Sequence, residues 1–248
     1  MPVDAGALER LVPDEVERAG STGLETLRLH VERYDFAADQ IRERVAEGRV
    51  LDLACGVGYG SRRIADRLGL AVSIVGVDVS AAAVEYASRR YADPSVGFAV
   101  GDAMGFEPDA PFDAVVSLET IEHLADPAGF VARLARWVRP GGLVVASVPT
   151  TPSVDLNPHH LHDFTERSFR SLFAGHGFVE AARLDQTQPV SPLSVLRRGE
   201  ARMRDTRRNL LGWYARHPGA LARRAGATLR HGFVNRYLTV AWRARDPA

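Results

Sequence analysis

Short runs rich in valine and other apolar residues alternate along this chain with helical stretches, and that alternation restricts its fold more than any other feature. RVLDLA is followed by SRRIADRLG, VSIVGVDV by AAAVEYASRRYA and FDAVVS by FVARLARWV, and VGFAV and GLVVASVP complete five candidate strands. Strands separated by helices are joined by right-handed crossovers, which predicts an α/β fold: a doubly wound, Rossmann-like sheet with helices on both faces. Ahead of it, LETLRLHVERYDFAADQIRERVA carries apolar residues at three- and four-residue spacings, the period of a helix. Behind it come the loop TTPSVDLNPHHLHDFT, the helical ERSFRSLFAGHG, a sixth strand near FVEAARLD and a final strand in VNRYLTVAW. The segment between those last strands is too long for a turn and reads as an inserted helical cap, with helices around Leu196 to Trp213 and Ala220 to Leu229. The chain of 248 residues, 46% of them hydrophobic, then divides as one domain: a helical segment over 1–47, a core over 48–190, the cap over 191–232 and the last strand over 233–248.

A single cysteine, Cys55, excludes an internal disulfide framework. The opening MPVDAGALERLVPDEVERAG lacks the basic start and apolar core of a secretion signal, and no uncharged apolar run approaches the roughly 18 to 20 residues that span a bilayer. A cytoplasmic location is expected. The formal net charge is zero, yet every basic side chain is an arginine and these crowd the region after Arg197, so the cap is positive and the preceding chain acidic. Such a block is commonly a solvated face, but it also suits an anionic partner, and membrane contact through it would be at most peripheral.

The first strand runs into LDLACGVGYGS. Glycines after a first strand let the backbone turn sharply and approach a ligand at the carboxyl ends of the strands. A dinucleotide fold favours G-x-G-x-x-G, whereas Gly56, Gly58 and Gly60 are spaced G-x-G-x-G behind Asp52, which disfavours a nicotinamide oxidoreductase. Asp78 ends the second strand, at about the offset from which an acid accepts ribose hydroxyls. Asp102 follows the third strand and suits the exocyclic amine of an adenine. Three acids at three strand ends point to an adenosine cofactor.

In that order Asp52-Leu-Ala-Cys-Gly-Val-Gly58, Gly76-Val-Asp78, Gly101-Asp102-Ala103, Phe112-Asp-Ala-Val-Val-Ser117 and Arg139-Pro-Gly-Gly142 resemble the motifs of class I S-adenosylmethionine-dependent methyltransferases. The resemblance implies a seven-stranded sheet with its last strand antiparallel and S-adenosylmethionine as cofactor. It implies that the loop at Ala54, Gly56 and Gly58 contacts the methionine moiety, with Asp52 orienting the loop and the cofactor's amino group. Asp78 would take the ribose hydroxyls, Val79 would line the adenine, Asp102 and Ala103 would hold its edge, and Leu118 would close the pocket. Ala54 stands where the family usually has the first loop glycine. Tyr34 is either a lid over the methionine end or a helix aromatic packed on the core.

After the fourth strand comes SLETIEHLADP, in which a helix would bring Glu119, Glu122 and His123 onto one face. In this family's fold that stretch lies where methyl donor and acceptor meet. Methyl transfer asks the protein to position the acceptor, exclude water and remove a proton, and imidazole is the side chain best matched to that proton near neutrality. Strand ends four and five are adjacent in this topology, so His160 in NPHHLHDFT can approach the same face. Two readings stay open. His123 or His160 acts as general base; or Glu119, Glu122, His123 and His160 hold a divalent metal, Mg or Mn, as a similar Glu-x-x-Glu-His pattern does in small-RNA 2'-O-methyltransferases. A structural role for the two glutamates is the bland alternative. The longer pattern resembles bacterial methyltransferases of glycan, sugar and secondary-metabolite assembly, so a small-molecule or glycan hydroxyl is the expected acceptor; the alternatives are a metal-dependent RNA 2'-O-methyltransferase and an N-methyltransferase of an amino sugar or secondary metabolite. Nucleic acid is disfavoured because the basic segment has few interleaved aromatics.

Overall fold

The structure of the chain, a computed structural model, describes Pro13, residues 21–190 and residues 209–245. Strands β1 (Gly48–Leu53), β2 (Val72–Asp78), β3 (Val96–Val100), β4 (Phe112–Ser117), β5 (Val138–Pro149), β6 (Phe178–Pro189) and β7 (Val234–Ala244) form one sheet in the order β3-β2-β1-β4-β5-β7-β6. The first five run parallel, and β7 lies antiparallel between β5 and β6. The expected seven-stranded, doubly wound sheet is therefore what the chain adopts.

Helices α1 (Ser21–Arg42), α2 (Tyr59–Leu68), α3 (Ala81–Tyr91), α4 (Pro127–Trp137) and α5 (Glu166–Ala174) flank the sheet. Their limits follow local chemistry. Asp126 caps α4 by accepting from the Gly129 amide with Pro127 in the first turn, and Thr165 and Ser168 form a reciprocal capping box at the start of α5. Alternate strand residues serve opposite faces. Leu51, Val115 and Val144 pack with Phe130, Leu134 and Trp137 of α4 and Phe169 and Phe173 of α5, while Val50, Ala114, Val116 and Val145 pack with Ala37, Ala38 and Ile41 of α1 and Ile64 of α2. Trp242 of β7 stacks on Phe173 at 4.7 Å, nearly parallel. Chain direction across the sheet reverses at β1: β2 and β3 lie to one side and β4 to the other. A crevice opens outside the carboxyl ends of strands at such a point.

Among the described residues between β6 and β7 stand two cap helices, α6 (Leu210–Arg216) and α7 (Pro218–His231). The expected cap helix around Leu196 to Trp213 lies mostly outside the described residues. Asp155, 2% exposed in the loop after β5, latches the cap. It accepts from Arg224 Nε at 2.8 Å and Nη2 at 2.6 Å and from the Tyr214 hydroxyl. Burial works to raise the Asp155 pKa, but the paired Arg224 and the phenol outweigh it and hold the carboxyl below its ordinary range. No described helix is long and apolar enough to cross a membrane.

Candidate active site

The turn after β1 is built from left-handed backbone. Ala54 (φ 64°), Gly56 (φ 58°) and Gly58 (φ 82°) all sit at positive φ. At Gly58 a Cβ would lie 2.6 Å from that of Ala87 and 2.7 Å from the Phe98 ring, so only glycine closes this turn against α3 and β3. Gly58→Ala is expected to destabilise the fold by about 1–2 kcal/mol for the backbone and a further ~1–3 kcal/mol for the overlap, read as a lower urea midpoint at constant slope. Ala54 occupies the same region with a methyl group and bears that strain. At Gly56, by contrast, a Cβ would meet nothing within 4 Å, which leaves an open cradle above the loop backbone.

Asp52 is buried in β1 between Gly76 of β2 and Val116 of β4. Ser61 of α2 donates to its Oδ2 at 2.6 Å, and the Tyr34 hydroxyl also bears on this carboxylate. Burial raises its pKa to about 7, against the Ser61 bond and with the charge of Asp78 adding. A buried carboxylate beneath an open cradle fits a cationic amino group, as the resemblance implies. Asp78 ends β2 as expected. Its Oδ2 accepts from the Gly56 amide and its Oδ1 from the Ser80 amide, both at 2.9 Å, so it also pins the glycine loop to the start of α3. Asp102 is exposed and accepts from the Met104 amide at 2.8 Å, forming the turn in which Ala103 is half-buried. Val79, after β2, is exposed, and Leu118, after β4, is buried.

Tyr34 packs beside the glycine loop. It is 5% exposed, and its ring fills the space where a Cβ of Gly60 would stand, about 2 Å from the ring carbons. It therefore holds α2 and the glycine loop in place from α1.

At the end of β4 the expected helix does not form. SLETIEHL contains a single 3₁₀ turn, Ile121–His123, and Glu119 precedes it at φ 49°. Glu119 consequently leaves the Glu122–His123 face. Its amide donates to Ser147 Oγ at 2.9 Å, Ser147 donates back to its Oε1 at 2.7 Å, and Arg33 Nη1 lies 3.6 Å from its Oε2. Arg33 is 1% exposed, donates through Nε to Gln186 of β6 at 2.7 Å and lies over the Tyr237 ring. This buried guanidinium was not foreseen. The residues that bury it come from β6 and β7, so the neighbouring sequence ERYDFA carries no sign of it.

Three of the four anticipated acid and imidazole groups do converge. Glu122, His123 and His160 offer ligand atoms within 4.8 Å of one another, and the two imidazole rings meet edge to face at 4.6 Å. His160 is brought there by the loop after β5, whose Leu161 amide donates to the Glu122 carbonyl at 2.8 Å. His123 Nδ1 faces the His159 carbonyl at 3.2 Å. A carbonyl only accepts, so Nδ1 carries the proton and Nε2 is the basic nitrogen of the neutral ring. His160 Nδ1 lies 2.7 Å from Ser153 Oγ. With Glu119 directed to Ser147, the donor set is two nitrogens and one carboxylate, leaner in oxygen than the shells Mg prefers.

Residues 50–142 match a family model described as a methyltransferase domain. A probable S-adenosylmethionine-dependent methyltransferase of Mycolicibacterium smegmatis is 35% identical over 153 residues, 59% of this chain and 58% of that protein. Over its cofactor-binding core the chain is similar to S-adenosylmethionine-dependent methyltransferases. Phosphoethanolamine N-methyltransferase 3 of Arabidopsis thaliana is 31% identical over 189 residues, 71% of this chain but 36% of that protein. The chain thus spans 58% and 36% of the length of these two curated methyltransferases. The class I fold also matches the crystal structure of YcgJ from Bacillus subtilis, at TM-score 0.63 and 16% identity over 87% of this chain and 99% of that one.

Proposed function

We propose that this chain binds S-adenosylmethionine and methylates a hydroxyl of a small molecule, with a sugar or polyol as the acceptor class. The observation that carries the reading is the meeting of Glu122, His123 and His160 at the carboxyl edge of the sheet, outside β4 and β5. Asp78, Asp52 and the loop at Gly56 hold the cofactor, with Val79, Asp102, Ala103 and Leu118 around its adenine. When bound, S-adenosylmethionine supplies an electrophilic methyl group whose carbon–sulfur bond breaks as the new carbon–oxygen bond forms. The protein's own work is to orient the acceptor oxygen in line and to take its proton on imidazole. His160 is the base in this reading, with His123 packed against its ring and Ser153 fixing the ring's other nitrogen.

The test is calorimetry with S-adenosylhomocysteine followed by turnover assays across sugars, polyols, amines and RNA. Absence of homocysteine-nucleoside binding would remove the cofactor, and turnover confined to amines or RNA would replace the acceptor. A second reading has an observation of its own. The same three groups could hold a divalent ion, each imidazole being oriented through its other nitrogen as metal-bound imidazoles are. Exhaustive chelation is expected to leave turnover within about twofold, since Glu119 is withdrawn from the set. Loss of turnover restored by added Mg or Mn reverses that assignment.

A further inference from the structure

His160 faces a second space besides the acid and imidazole cluster. A cavity of ≈ 530 Å³ opens between the loop after β5 and the cap, with His160 and Leu161 on one side and Trp213, His217, Gly219 and Arg223 on the other. That volume is in the range of small-molecule sites. We propose that this cavity is the acceptor subsite, and that it takes a ring compound, sugar or aromatic, carrying a phosphate or carboxylate; the inference rests on the methyltransferase reading of the neighbouring site.

The wall chemistry supports a ring. Trp213 and His217 stack at 4.3 Å with planes 17° apart, and His217 Nδ1 is tied to the Trp213 carbonyl at 2.9 Å, so the pair is a fixed flat surface and not two free side chains. The charge supports an anion. Among the described residues no carboxylate lines the cavity, and the described cap from Asn209 to Gly232 contains four arginines and no acidic residue. Arg224 is consumed by the latch to Asp155, but Arg223 meets Asp163 only at 3.6 Å, beyond hydrogen-bond length, and the other oxygen of Asp163 already accepts from the Ser153 and Val154 amides. Arg223 therefore keeps donors for an oxyanion. His160 belongs to both spaces, so an anion held at Arg223 would direct the far side of the ring toward the base.

Trp213 also provides the readout. The chain has three tryptophans, of which Trp137 and Trp242 are 2% exposed in the core, so changes in quenchable emission report Trp213. Glucose 6-phosphate or phenyl phosphate, titrated into the protein saturated with S-adenosylhomocysteine, is expected to alter this emission at concentrations where glucose and inorganic phosphate do not. Arg223→Ala should weaken the response about tenfold or more, and Gly219→Leu, which narrows the cavity without backbone strain, should do likewise. S-adenosylhomocysteine affinity should stay within about twofold in both variants. Which ring phosphate binds distinguishes a sugar from an aromatic acceptor. Binding of neither, equal binding of glucose, equal binding of inorganic phosphate, or indifference to Arg223→Ala each overturns the subsite. Failure of S-adenosylhomocysteine to bind the unmodified protein would instead overturn the cofactor reading, with the phosphate titration then run on the free protein to decide the cavity.

Discussion

His160→Ala is expected to lower turnover about 100- to 10,000-fold, the usual contribution of a general base, while S-adenosylhomocysteine affinity changes by less than about twofold. The separation follows from position. His160 reaches the site on the loop after β5 and touches His123 and the cap cavity, whereas the proposed cofactor groups Asp52, Gly56 and Asp78 belong to β1, the turn after it and the end of β2. Ser153→Ala removes the group beside Nδ1 without removing the base, so it should reduce kcat by a smaller factor and leave KM for the cofactor unchanged. Single-turnover rates together with calorimetry make the comparison. Parallel loss of cofactor affinity in His160→Ala would mean that the loop holds the fold and not the proton.

The second large effect concerns Asp52. Its folded pKa of about 7 lies above the ordinary 3.8 because burial disfavours the charged form. Below about pH 4 both states hold the proton and nothing is lost. Between there and about pH 7 the unfolded chain releases it first, so the cofactor-free protein should lose stability as pH rises, by at most about 4 kcal/mol from ~1.36 kcal/mol per pKa unit. Asp52→Asn is expected to flatten that slope and raise the neutral-pH urea midpoint of the free protein. It should also weaken S-adenosylhomocysteine binding by about 10- to 100-fold, the worth of a hydrogen bond to a charged group. In the unmodified protein a cationic amino group prefers the ionised carboxylate, so binding should release a proton and weaken as pH falls below about 7. Calorimetry in buffers of different ionisation enthalpy counts that proton. A pH-independent affinity would leave Asp52 a purely structural acid.

Features governed by local pattern were legible from residues. Alternating strands and helices fix the sheet, and Asp52, Asp78 and Asp102 fall at the ends of β1, β2 and β3 because strand ends are set by the same apolar periodicity that reveals the strands. What escaped depends on contacts between distant segments. Glu119 looks like one ridge of a helix with Glu122, but Ser147, 28 positions on, captures both its amide and its carboxylate and turns the backbone left-handed. Arg33 looks like one more solvated arginine, yet Gln186 and Tyr237 enclose it. The seating of the Tyr34 ring over Gly60 is likewise a contact between separate helices. His160 was legible because the fold family makes strand ends four and five neighbours, whereas the cavity it shares with Trp213 depends on how Asp155 seats the cap.

The pairing of β6 with β7 continues from Phe178 opposite Ala244 to Pro189 opposite Val234, and the Val190 amide still donates to the Phe233 carbonyl at 2.8 Å. The chain leaves the sheet and returns to it at one hydrogen-bonded stem. The entropy of closing a loop there grows only with the logarithm of its length, about 0.6 kcal/mol per doubling. An excursion of different size or sequence can thus be grafted onto that stem at little thermodynamic cost, with the strands that carry the cofactor loop untouched. Chimeras that exchange the segment between Val190 and Phe233 should therefore trade acceptor preference as a unit, and the stem is the natural cut point for re-engineering this scaffold.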